Sequence, residues 1–194
     1  MELFFLIVTD FAEPLSFLPG AILVGGLCFG VFLLFARCSS KRVYKKGKYG
    51  IWFLFFVYLC IVLDYAFFSR APGSRHRIDL ILGESWGTTA RSHAYVIENV
   101  LMTVPLGAFL GVLWRAKTKK RTIVRAFLVS MASSICLELA QLATGRGYCQ
   151  VDDVATNAIG GLLGAIFVVY FAWRDTSEEK QAAPHHPLHG HRDS

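Results

Sequence analysis

Glu138, Gln141, Arg146, Asp153 and Asn157 lie close together in the chain, at the ends of two apolar stretches and in the turn between them. Ionisable groups inside apolar stretches are costly and mark functional positions by default. Glu138 and Gln141 stand at i, i+3 and Asp153 and Asn157 at i, i+4, so on helices each pair shares a face. Two arginines accompany them. Arg146, with Arg70 from an earlier segment, can clamp a phosphate or carboxylate through paired hydrogen bonds. The carboxylates and amides, with Asn99, can then hold those arginines or accept from a ligand's hydroxyls and amides. This is the chemistry of an amphiphile-binding site. A second reading makes Glu138 and Asp153 the acid and base of an enzyme, or ligands of a divalent ion. A third makes the same charges a network that only ties helices together.

Other reactive side chains carry less. His76 and His93 fall in a polar loop and read as solvated, and Cys149 reads as inert. The tail histidines His185, His186, His189 and His191 read as incidental. The cysteines show neither disulfide nor zinc spacing. No cofactor and no resident metal is implied.

The elements that must position these residues are membrane helices. The hydrophobic share is 54% and the mean hydropathy +0.46, above a soluble domain of 194 residues. The fold class is therefore an all-α polytopic bundle. A span needs roughly 20 apolar residues, and spans are expected near 16–36, 51–69, 95–114, 122–144 and 153–173. Residues 1–15 form an interfacial segment, with Asp10, Glu13 and Pro14 breaking its apolar run. Arg70 to Ala94 reads as a polar loop, with an apolar patch from Ile78 to Leu82 and Trp86 at the interface. Residues 174–194 read as a polar, disordered cytoplasmic tail. Gly107 and Gly111, and Gly160 and Gly164, form small-xxx-small pairs suited to helix packing.

The net charge of +6 is concentrated between spans, which weighs against nucleic acid as a partner. Arg37, Lys41, Arg42, Lys45, Lys46 and Lys48 follow the first span, and Arg115, Lys117, Lys119, Lys120 and Arg121 follow the third. The positive-inside rule puts both clusters in the cytoplasm, with the N-terminus outside. Arg70, Glu98, Asn99, Glu138, Gln141, Arg146, Asp153 and Asn157 then share the outer side. On a rise of 1.5 Å per residue, Asn157 lies about 6 Å deeper than Asp153, and Glu138 about 10 Å below the outer turn. Asp64 is expected at similar depth.

From Tyr58 to Ala172 the chain resembles the VanZ-like family of bacterial membrane proteins. The resemblance rests on Asn99, Pro105 and Gly107. It rests further on the ordered set Glu138, Gln141, Arg146, Gly147, Asp153, Asn157, Gly160 and Gly164. Arg70 and the Asp79–Leu80 segment also resemble the family, although Asp79 stands where Asn is common and Leu82–Gly83 where a Pro-Phe pair is expected. The resemblance implies a role in resistance to glycopeptide antibiotics, teicoplanin more than vancomycin. It makes a membrane lipid, a lipid-linked cell-wall precursor or a lipoglycopeptide the expected partner at the outer leaflet of the bacterial cell membrane.

Overall fold

The computed structural model describes residues 1–38, 48–73 and 75–181. Among them run six α-helices: α1 (Glu2–Ser16), α2 (Leu18–Cys38), α3 (Tyr49–Leu63), α4 (Ala90–Leu113), α5 (Lys119–Thr144) and α6 (Val151–Gln181). Five segments are long and apolar enough to cross a membrane: Leu18–Arg37, Tyr49–Phe68, Ala90–Leu113, Lys119–Thr144 and Val151–Phe171. The spans expected from sequence are all present, with shifted ends. Helix α4 begins at Ala90 rather than Tyr95 because Thr89 and Ser92 form a reciprocal capping box. Likewise the Thr118 side chain accepts from Arg121 N at 3.3 Å, drawing Lys119–Arg121 into the first turn of α5. Helix α6 continues to Gln181, so the polar tail starts as helix. The rest of the tail, and Lys41 to Lys46 of the first basic cluster, lie outside the described residues.

Helix α1 continues through Asp10, Glu13 and Pro14 to Ser16. Arg91 on α4 takes the Asp10 carboxylate at 2.6 Å, and Pro14 removes the backbone bond to the Asp10 carbonyl in the last turn without ending the helix before Ser16. The loop after α3 and the turn after α5 are not irregular. They contain β1 (Arg75–Asp79) and β2 (Arg146–Gln150), a parallel pair with Arg75 opposite Arg146 and Asp79 opposite Gln150. Parallel neighbours need a long crossover; here α4 and α5 provide it. Gly145, at φ 64°, ends α5 and turns the chain into β2.

Packing between helices relies on small residues. A Cβ built on Gly107 would collide with the Gly161 carbonyl, and one on Gly164 with the Val104 carbonyl and, at 2.8 Å, Ala108 N. Helices α4 and α6 thus touch backbone to backbone, as expected of their small-residue pairs. Leu106, Leu110, Ala126 and Ala165 form the core there, with Phe55, Tyr58, Leu59 and Val129 packed on it. Helix α2 sits to one side. Gly25 approaches the Val57 backbone, while Phe32 stacks on Trp52 with ring centroids 4.9 Å apart.

Helix α3 does not end as a regular helix. Its chain widens into a π-turn, Asp64–Phe68. Such a turn leaves carbonyls without a regular helical donor, and side chains from α5 and β2 supply the donors.

Candidate functional site

A cavity of about 60 Å³ lies at the end of the bundle that carries the two strands. Each neighbouring element contributes. Asp10, Phe11 and Pro14 come from α1, Tyr65, Ala66 and Arg70 from the π-turn region, and Tyr95, Glu98, Asn99 and Met102 from α4. Leu137, Glu138 and Gln141 come from α5, and Asp153 and Asn157 from α6. Of the residues picked from sequence, Arg70, Asn99, Glu138, Gln141, Asp153 and Asn157 are brought together. Arg146 and Asp64 do not line the cavity.

The two central carboxylates are held differently. Asp153 is 6% exposed and both its oxygens are engaged: Tyr95 OH donates to Oδ2 at 2.8 Å and Asn99 Nδ2 to Oδ1 at 2.9 Å. Glu138 is 3% exposed, and its Oε2 accepts from the Gln150 backbone N–H at 2.9 Å. Strand β2 thus returns to hold a side chain on the helix before it.

The two amides are oriented by their donors. Gln141 Nε2 donates to the Ala66 carbonyl of the π-turn at 2.7 Å, leaving Oε1 buried without a partner among the described residues. Asn157 Nδ2 donates to Ser134 Oγ at 2.9 Å, and its Oδ1 is likewise unpartnered, as is Glu98 Oε1.

The arginines divide their roles. Arg146 Nη1 donates to the carbonyls of Phe67 (3.2 Å), Phe68 (3.3 Å) and Arg70, and its guanidinium lies 5.0 Å from the Phe67 ring centroid. It closes the end of α3 and fixes the backbone of Arg70. The carbonyls left by the π-turn thus take Nη1 of Arg146, the arginine that does not line the cavity. Arg70 lines the cavity itself, and its guanidinium has no hydrogen bond or ion pair among the described residues. Gly147 makes room for it: a Cβ there would lie 3.0 Å from both Arg70 Nη1 and Gln141 Oε1.

Asp152, adjacent to Asp153, faces the other way. It accepts from the backbone N–H groups of Gly83 (2.7 Å) and Ser85 (2.8 Å) and pins the loop after β1. His93 sits in the first turn of α4 against Trp86, ring centroids 4.4 Å apart, rather than in a solvated loop. The Cys149 thiol, in β2, is pushed up from its ordinary pKa, first by burial and then by the negative charge of Glu138 and Asp153.

A second cavity of about 140 Å³ lies deeper, between α3, α4 and α5. Its walls are mostly apolar, including Leu59, Val62, Leu63 and Leu106. It shares Met102, Leu137 and Asn157 with the polar chamber. Among the described residues, no three His, Cys, Asp or Glu side chains group so as to hold a metal ion.

Sequence reasoning missed Tyr95 and Asp10 as cavity residues. Tyr95 had a signal, since it stands at i−4 from Asn99 and so shares its face. Asp10 had none, because its place depends on how α1 docks.

Fold and site together define a multi-pass helical membrane protein with a buried polar chamber at one end of its bundle. A family model described as VanZ/LLP1 matches residues 51–173, and the chain belongs to this VanZ-like family. The match spans α3 to α6, and so every cavity wall except that from α1. No curated protein and no solved structure matches the chain.

Proposed function

We propose that this protein binds an amphiphile from the outer leaflet of a bacterial membrane. The headgroup sits in the polar chamber and part of the tail in the apolar cavity beside it. The observation that carries this reading is the shared wall of Met102, Leu137 and Asn157, which sets a charged chamber directly against an apolar one. Arg70 would take an anionic group, and Glu138, Gln141 and Asn157 would take hydroxyl or amide donors. The chamber of about 60 Å³ is several times the roughly 10–15 Å³ that a single water needs. The apolar cavity of about 140 Å³ is close in size to one of about 150 Å³ that holds benzene. These sizes suit a small headgroup and a tail segment, not an entire glycopeptide. A membrane lipid or lipid-linked cell-wall precursor is thus the favoured ligand, and lowered susceptibility to teicoplanin-type drugs would follow from altering that lipid's availability. In this reading the N-terminus is outside and the C-terminus cytoplasmic.

Native mass spectrometry of the gently purified protein tests this, wild type beside Arg70→Ala. A defined lipid retained by the wild type and lost from the variant is the expected result. Equal retention by both would remove Arg70 from the site and sink the reading.

One observation favours an enzymatic variant of the same site. Among the described residues, Asp153 is fixed by hydrogen bonds to both oxygens, whereas Glu138 is held through Oε2. Glu138 would then move the proton while Asp153 organises the chamber. Glu138→Gln should abolish turnover yet keep the ligand, and an envelope-lipid profile indifferent to expression of the wild type would argue against catalysis.

A further inference from the structure

The hydrogen-bonding capacity left over in the chamber is one-sided. Gln141 and Asn157 are 2% and 4% exposed, and each spends its amide nitrogen on a protein acceptor. Gln141 Oε1, Asn157 Oδ1 and Glu98 Oε1 are buried without donors among the described residues. Leaving such atoms unpaired is costly, so they call for a partner that brings N–H or O–H groups. The charges lean the same way. Arg91 is engaged with Asp10 at 2.6 Å. Among the described residues that line the cavity, Arg70 is then the cation that faces the carboxyl groups of Glu138 and Asp153.

From this surplus of acceptors and negative charge we infer that the chamber takes a primary ammonium group, with a neighbouring phosphate on Arg70. The ligand class is a zwitterionic amino-headgroup lipid. An ammonium offers three donors, no acceptor and a positive charge. A hydroxyl offers one donor and brings lone pairs of its own. A quaternary ammonium has the charge without any N–H. The small volume points the same way, since an ammonium needs little more room than the waters it displaces. This inference rests on the amphiphile reading and specifies its headgroup.

The test uses the full chain in lipid nanodiscs with equal fractions of phosphatidylethanolamine, phosphatidylcholine and phosphatidylglycerol of the same acyl chains. Lipid retained after release into the gas phase is then read by native mass spectrometry. Phosphatidylethanolamine should be enriched about tenfold or more over phosphatidylcholine, the equivalent of a single charge-assisted hydrogen bond. Glu138→Gln should reduce that enrichment. Glu98→Gln, at a half-buried position, should do so as well and provides a second variant if the first folds poorly. Equal retention of phosphatidylethanolamine and phosphatidylcholine, still dependent on Arg70, would overturn the ammonium and leave the amphiphile reading standing. Preference for phosphatidylglycerol would overturn it in favour of hydroxyl donors. No specific lipid in any sample would overturn both.

Discussion

Arg146→Ala separates a residue that builds the site from one that meets the ligand. Arg146 Nη1 is shared among three carbonyls at the end of the π-turn, and its guanidinium stacks on Phe67. One nitrogen serving three acceptors is worth one strong charged hydrogen bond or slightly more. With the cation–π contact, the loss comes to about 2–4 kcal/mol. Water reaching the half-buried arginine would keep the loss near the lower figure. Denaturant titration of the purified protein measures it, and hydrogen exchange over residues 64–73 should show where the loosening occurs. Arg146→Lys should recover only part of the loss, since an ammonium on a flexible stem cannot reproduce the planar stack. Arg70→Ala should abolish ligand retention while leaving residues 64–73 as protected from exchange as in the wild type. If Arg146→Ala proved as stable as wild type yet lost ligand as completely as Arg70→Ala, Arg146 would be a direct contact and the positioning argument would fail.

Further outcomes are expected elsewhere in the bundle. With Cys149 as the sole remaining cysteine, a membrane-impermeant maleimide should label it from outside intact cells. The thiolate is the reactive form and the thiol's pKa is raised, so labelling should rise with pH to a midpoint above the ordinary value of about 8.5. Glu138→Gln removes a neighbouring negative charge and should lower that midpoint; labelling only from the cytoplasm, or a midpoint at or below 8.5 in the wild type, would contradict the assignment. Gly164→Val should wedge α6 away from the Val104 and Ala108 backbone and cost about 1–3 kcal/mol or more. Gly30→Ala, with nothing within 4 Å, should be neutral, and similar denaturation midpoints for the two variants would refute the close-packing argument.

The amino-acid sequence by itself determined the spans and much of the chamber. A segment of roughly 20 apolar residues in a bilayer must satisfy its own backbone, which leaves the helix as its solution. Helical period then paired Glu138 with Gln141 and Asp153 with Asn157, and glycine spacing marked the face along which α4 and α6 meet. Each of these is a property of one helix. Only the tertiary structure decided which side chains from different helices face one another. The π-turn after α3 exposes the carbonyls that engage Arg146, and nothing local in residues 64–68 announces it. Strands β1 and β2 pair across two intervening spans, so neither short segment carries its partner's signature. Asp10 reaches the cavity because α1 docks on α4 through Arg91, a contact between residues distant in the chain. Local patterns follow the backbone period of a single segment, whereas the cavity's walls depend on the register and crossing of several helices at once.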